Sequence, residues 1–125
     1  MTIAPLAGNA LPPPRAGVLD AQAALAAIVQ GRLSTKQLDR VSYSRDMWPL
    51  AMVWLRQGRV PPPPDAVIWP GTDDEVAKVI RLARERRLAV IPFGAGSGVC
   101  GGTVALHGGL SLDLKRFDGI GQIDP

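Results

Sequence analysis

Ala66-Val-Ile-Trp69, Thr72-Asp-Asp-Glu75 and Ala89-Val-Ile-Pro-Phe93, running on into Gly94-Ala-Gly-Ser-Gly-Val-Cys-Gly-Gly102, decide how this chain folds. The first segment is a short apolar run bounded by prolines, the pattern of a buried strand. Thr72 to Glu75 has the spacing of a capping box, with acidic residues where the amino end of a helix favours negative charge. Val76, Val79, Ile80 and Ala83 then repeat at the interval of one buried helical face, while Lys78, Arg81, Arg84, Glu85 and Arg87 face solvent. The basic residues gather at the carboxyl end of that helix, where the dipole accepts them as a solvated cluster. A second continuous apolar run, Ala89 to Phe93, completes a strand, helix, strand unit of the roughly 30-residue size expected for βαβ.

The glycine-rich stretch follows that second strand directly, and five of its nine residues are glycine. Glycine permits positive φ and lets backbone N–H groups converge without a Cβ between them, the means by which a loop holds a diphosphate through hydrogen bonds. Its place at the carboxyl end of a parallel strand favours ligand binding over a merely bulged turn. The loop contains no Lys or Arg. Gly96-Ser-Gly-Val-Cys-Gly101 satisfies G-x-G-x-x-G in letters, yet a dinucleotide fingerprint must open a helix, and Gly108-Gly109 arrives too soon for one. A Walker loop is excluded because no Gly-Lys-Ser/Thr follows. Beyond it, Leu110-Ser-Leu-Asp-Leu114 alternates as a strand, Lys115-Arg-Phe-Asp118 reads as a turn, and Ile120-Gly-Gln-Ile123 as a further short strand that stops at Asp124-Pro125.

Upstream, Gly58 to Asp65 with Pro61-Pro-Pro-Pro64 predicts a stiff linker and the best boundary in the chain. Leu11-Pro-Pro-Pro-Arg15 lies in a proline-rich tail expected to be extended and disordered over residues 1–19. A helix is predicted from Asp20, its candidate N-cap, with Leu25, Ile28 and Val29 inward and Gly31 as a left-handed C-cap. Ser34-Thr-Lys-Gln37 is read as a capping box opening a second short turn that carries Leu38 and Val41 inward. Tyr43-Ser-Arg-Asp-Met-Trp-Pro49 admits two readings: Arg45 or Asp46 as site residues, or a packed anchor in which Asp46 caps a turn and Trp48 fills a groove. Leu50 to Leu55 is apolar and fits a strand or a buried helical turn equally. The domain reading is thus a tail over 1–19, a helical segment over 20–60 and an α+β, α/β-like unit over 61–125 whose sheet pattern is incomplete at its end.

With 125 residues, the chain has room for one small domain or for part of a larger one. The net charge of +3, spread over eleven Arg and three Lys without a basic tract, gives no reason to expect nucleic acid as a partner. The single cysteine, Cys100, excludes an intramolecular disulfide and a multi-thiolate metal site, and suits a reducing, cytoplasmic setting. Met1 to Ala10 has no basic stretch followed by a sustained apolar one, and no window approaches the roughly 18 apolar residues of a spanning helix. A soluble protein is expected.

Taken in order, the segments Ala66 to Val76, Val90 to Gly102, Leu110-Ser-Leu-Asp-Leu-Lys-Arg-Phe117 and Ile123-Asp-Pro125 resemble the FAD-binding domain of the vanillyl-alcohol oxidase and p-cresol methylhydroxylase (PCMH-type) flavoproteins. Within that superfamily the sequence is most similar to the branch of D-lactate dehydrogenases, the glycolate oxidase flavin subunit and alkyldihydroxyacetone phosphate synthase. The resemblance, over roughly Tyr43 to Pro125, implies a first βαβ-containing subdomain. It also implies that backbone amides of Pro92, Phe93, Gly94, Ala95, Gly96, Ser97 and Gly98 hold the FAD pyrophosphate, with Gly101 and Gly102 close to the flavin. Members that tether FAD through this loop carry a histidine in it; the matching position here is Ser97, so noncovalent FAD is expected. His107 lies beyond the loop, and Cys100 is read as a small residue beside the cofactor rather than a redox thiol.

A full-length form is expected to oxidise a 2-hydroxy-acid-like small molecule by passing a hydride to flavin N5, although the same branch includes a synthase without net oxidation. A second αβ subdomain and a substrate domain, which supply the acid-base residues in this family, do not fit within 125 residues. No residue here is nominated as the catalytic base. The alternative is a truncated, non-catalytic fragment completed by another polypeptide or by self-association.

Overall fold

The computed structural model describes residues 11–124. The first ten residues of the expected tail lie outside the described residues. Four helices and four strands follow in the order α1 (Ala16–Ile28), β1 (Leu33–Ser34), α2 (Gln37–Ser42), α3 (Pro49–Arg56), β2 (Ala66–Ile68), α4 (Asp73–Glu85), β3 (Val90–Phe93) and β4 (Leu110–Asp113).

The strands form one mixed sheet in the order β1-β2-β4-β3. β2 and β3 both run parallel to β4, with Ala66 and Val90 each opposite Leu110, and Phe93 opposite Asp113. The expected strand, helix, strand unit is therefore present but split: β4 is inserted between its two strands. β1 closes the β2 edge antiparallel, pairing Leu33 with Ile68. Alternation along the strands sends Ala66, Ile68, Leu110 and Leu112 to one face, where they join Val18, Ala21, Leu25 and Val29 of the α1 region and Val79 and Ala83 of α4 in a single core. Burying a Leu or Ile side chain in such a core contributes roughly 1.5–3 kcal/mol.

α4 forms as its sequence predicts at the start. Thr72 Oγ1 accepts from the Glu75 N–H at 3.2 Å, and three acidic residues occupy the first turn. The capping box is nonetheless only half made. Glu75 does not reach back to Thr72; its Oε2 accepts from the Gly71 N–H, and Arg32 Nη2 donates to both of its oxygens, each at 2.6 Å. Those donors hold the Glu75 carboxyl below the usual glutamate range, the Arg32 hydrogen bond first and the Gly71 N–H second. Val79 and Ala83 are buried as predicted, but Ile80 is 48% exposed, since Val76 and Leu82 complete the inward face.

Upstream, long-range packing overrides several local signals. α1 begins at Ala16 rather than after Asp20, because Val18 and Ala21 already belong to the core; its amino end is fixed by Arg15, whose N–H donates to Asp65 Oδ1 at 3.1 Å. Gly31 takes the left-handed conformation predicted for it, with φ +80°. Ser34 lies in β1 and bonds to Asp39 instead of capping a helix, and α2 starts at Gln37. Leu38, expected inward, is 78% exposed; Arg40 is the buried residue of α2, donating to the Pro64 and Pro12 carbonyls at 2.8 Å each. Pro61, Pro63 and Pro64 are buried, so the predicted linker packs into the structure. Leu50 to Leu55 is helical, as part of α3, with Pro49 in its first turn. Ile120 to Ile123 forms no strand, and both isoleucines are exposed.

Candidate cofactor-binding site

The three parallel strands end side by side, at Ile68, Asp113 and Phe93, and Tyr43 at the end of α2 fits against their carboxyl ends. Its ring lies 4.6 Å from that of Phe93 and edge-on to Trp69 at 6.2 Å. Trp69 Nε1 donates to Tyr43 Oη at 2.9 Å, and Tyr43 Oη donates to Asp113 Oδ2. Asp113 is buried, and it also accepts from the Lys115 N–H at 2.8 Å and pairs with Lys115 Nζ at 2.9 Å. Lys115 Nζ sits 5.1 Å from the centroids of both the Tyr43 and Phe93 rings.

Burial, and then the hydrogen bond to the Asp113 carboxylate, push the Tyr43 phenol above its ordinary value. Burial works against the charge on Lys115, but the Asp113 carboxylate outweighs it and raises the ammonium pKa. Near neutral pH Tyr43 is therefore a neutral phenol and Lys115 a protonated ammonium.

β3 feeds the glycine-rich loop at the same end of the sheet. Its backbone has no helix or strand from Gly94 to Gly102, so the G-x-G-x-x-G letters do not open a helix, as expected. Gly96 has φ +66°, and a Cβ there would lie 2.8 Å from Phe93 Cζ; Gly101 has φ +78°, and a Cβ there would lie 2.8 Å from Trp48 Cε3. Both positions therefore require glycine in two ways, by conformation and by close approach.

The loop is held through its carbonyls: Gly98 O accepts from the Met47 N–H at 2.9 Å, and Gly101 O from the Val104 N–H at 3.1 Å. Among the described residues, none of the backbone N–H groups from Gly94 to Gly102 donates to another protein group. A run of unspent donors in an exposed, glycine-rich turn is suited to an anion with several acceptor oxygens.

A cavity of about 650 Å³ opens against the flank of this loop, lined among others by Tyr43, Arg45, Met47, Phe93, Gly96 and Lys115. The loop itself carries no cation, yet the fold brings Arg45 and Lys115 to its side. A second cavity, of about 580 Å³, lies among Pro12, Arg40, Trp54, Arg59, Asp65 and Gly108. There Arg15 and Arg40 are already bonded to Asp65 and to backbone carbonyls, and Arg59 lies over the Trp54 ring. The first cavity is the one that adjoins the unspent loop amides, at Ala95 and Gly96.

The site residues read from sequence fall as follows. Pro92 has no N–H to offer and Phe93 belongs to β3, its carbonyl accepting from the Leu114 N–H at 2.9 Å, so the loop amides are counted from Gly94. Gly94, Ala95, Ser97, Gly98 and Gly102 are exposed, and Gly96 and Gly101 half-buried. Asp46 does cap a turn, its Oδ1 accepting from the Trp48 N–H at 2.9 Å, and Trp48 packs on Gly101. Its Oδ2 is buried beside Gly98 with no hydrogen-bond partner among the described residues.

Arg45 is exposed at the cavity; His107 and Cys100 are exposed and line neither cavity. Sequence reasoning missed Tyr43 and Lys115. No local signal marks Lys115: it lies two residues past Asp113, and only the pairing of β4 with β3 sets it beside the loop that follows Phe93.

These residues suit FAD: unspent amides for the diphosphate, two cations beside them, and a loop whose left-handed turns at Gly96 and Gly101, packed on Phe93 and Trp48, admit only glycine. Comparison with known proteins agrees. The glycolate oxidase subunit GlcD of Bacillus subtilis (strain 168) is 41% identical over 61 residues, 49% of this chain and 13% of that protein. A D-2-hydroxyglutarate dehydrogenase of Xanthomonas citri pv. viticola is 38% identical over 101 residues, 81% of this chain and 19% of its own. The chain thus spans less than a fifth of these curated relatives.

Among solved structures, an alkyldihydroxyacetonephosphate synthase superposes over 95% of this chain and 24% of its own with a TM-score of 0.79 at 22% identity. p-Cresol methylhydroxylase with substrate bound superposes over 91% of this chain and 22% of its own, with a TM-score of 0.61 at 20% identity. The fold is thus the PCMH-type one that the resemblance implied. Residues 64–125 match the family described as FAD binding domain, and this stretch of the chain belongs to that family.

Proposed function

We propose that the backbone N–H groups of Gly94 to Gly98 hold the diphosphate of a noncovalently bound FAD, with Gly101 and Gly102 near the flavin. The observation that carries this reading is the run of unspent loop amides opening beside a cavity with two cationic side chains. Ser97 occupies the loop position where tethering would call for histidine, and His107 lines neither cavity. In this reading residues 61–125 are the first subdomain of the cofactor domain, and a longer form oxidises a 2-hydroxy-acid-like substrate. Bound FAD would supply the hydride acceptor. This chain's residues bind and orient it: the loop amides take the diphosphate, and Trp48 and Phe93 fix the curvature of the loop at Gly101 and Gly96.

No helix among the described residues is long and apolar enough to cross a membrane. A cytoplasmic location goes with the single cysteine. Exposed apolar residues in two places, Met47, Leu50 and Val53 around the start of α3 and Ile120 and Ile123 after β4, support a second reading, in which another polypeptide or a second copy covers apolar groups of this chain.

The test is to purify the 125-residue chain, record its visible absorbance and measure its thermal shift with added FAD. A flavin spectrum or a clear stabilisation is expected, and acid precipitation should release the flavin into the supernatant. A colourless, unshifted protein would defeat the reading, and flavin remaining in the precipitate would defeat its noncovalent part.

A further inference from the structure

We propose that Lys115 is a cofactor-binding residue, supplying the cationic contact to the FAD diphosphate that the glycine-rich loop does not carry. The inference rests on the loop being the diphosphate site, as proposed above, and assigns a role to a residue outside it. Three observations support it. First, Lys115 lies just beyond the carboxyl end of β4 and the loop just beyond that of β3; the two strands are paired, and Lys115, Ala95 and Gly96 line the same cavity.

Second, its ammonium is held in place before any ligand arrives. Asp113 Oδ2 anchors it at 2.9 Å, and the Tyr43 and Phe93 rings lie 5.1 Å below it. A long side chain already ordered in this way loses little rotamer freedom on meeting an anion. Third, it has a donor to spare. An ammonium has three N–H bonds; Asp113 takes one and Tyr43 Oη engages a second, which leaves a third, and the side chain is 53% exposed toward the cavity and solvent. The Asp113 carboxylate is itself shared with Tyr43 Oη and the Lys115 N–H, so it does not consume the lysine's charge alone.

Arg45 is the other cation at this cavity, but among the described residues its guanidinium meets only the Met52 sulfur, at 3.8 Å, and no carboxylate orients it. Order and charge together make Lys115 the stronger contact.

The experiment is a binding titration of the 125-residue chain with FAD and with riboflavin, which has the ring but no phosphate, at several KCl concentrations. Lys115→Met is expected to weaken FAD binding about tenfold or more, to leave riboflavin binding unchanged, and to flatten the dependence of log Kd on log salt. Lys115→Arg should restore most of the FAD affinity, and far-UV circular dichroism should match the wild type for both variants.

Equal FAD affinity in Lys115→Met and wild type would overturn the role of Lys115 while leaving the loop assignment intact. Equal weakening of FAD and riboflavin would overturn it too, by showing a structural effect. A wild-type chain that binds no FAD would remove the loop reading and this one together.

Discussion

The two ends of the parallel strands use glycine and charge in opposite ways. At the amino ends, Asp65, Gly109 and Ala89 converge just before β2, β4 and β3. Asp65 Oδ2 accepts from the Gly109 N–H at 2.7 Å, Gly109 O accepts from the Asp65 N–H at 2.7 Å, and Ala89 O accepts from the Leu110 N–H at 2.8 Å. A Cβ on Gly109 would lie 2.5 Å from Ala89 O, and its φ is +100°. Every polar group named there is consumed by another part of the same chain. At the carboxyl ends, the loop after Phe93 is just as rich in glycine, yet its N–H groups have no protein acceptor among the described residues, and the Lys115 ammonium, engaged by Asp113 and Tyr43, still has a donor left for a ligand. Glycine content alone does not distinguish a packed turn from a ligand cradle; accounting for the hydrogen bonds does.

That contrast can be broken by substitution. Gly109→Ala should have the largest effect, a loss of about 3 kcal/mol of stability, since it combines strained φ with a backbone collision. Urea unfolding checks it, and a change below about 0.5 kcal/mol would show that the amino end tolerates what its geometry forbids. Gly96→Val should abolish flavin retention, a weakening of about a hundredfold or more, while circular dichroism shows α4 still folded. Unchanged flavin content would sink the loop assignment.

Glu75→Gln probes a spent carboxylate. Its folded pKa is depressed, so the unfolded chain takes up protons first as the pH falls. The stability it contributes is present above the ordinary glutamate value and is lost as the pH drops through the lower, folded one. Thermal melts of wild type and variant should therefore differ near neutral pH and converge in acid; a constant gap would contradict the ion pair with Arg32. His107→Ala should do least, within about 0.5 kcal/mol in both stability and FAD affinity. A larger loss of affinity by titration would place the imidazole in the site.

Local patterns carried the region after residue 65 well. The capping residues of Thr72 to Glu75, the Val79 and Ala83 face and both flanking strands follow from short-range chemistry, and so does the glycine loop. What was not legible depends on residues far apart. Arg40 is buried because Pro64 and Pro12 present carbonyls to it, and no helical periodicity predicts that Leu38 would yield the inward position. Ile80 fits the apolar interval but loses its place to Leu82, a choice made by the packing of α1 and the sheet. Lys115 read as a turn residue because its meaning lies in the neighbouring strand, and strand order is not written in either strand alone.

That strand order also has a consequence in time. β4 stands between β2 and β3, yet it is synthesised after both. While the chain emerges from the ribosome, β2, α4 and β3 are complete before the strand that joins them exists, and two apolar strands wait with unpaired edges. Closure of the sheet then falls to residues 110–113, more than forty positions after β2 begins. Nascent chains halted before Leu110 should be the ones that chaperones hold, and those a few residues longer, once clear of the exit tunnel, the first to become protease-resistant.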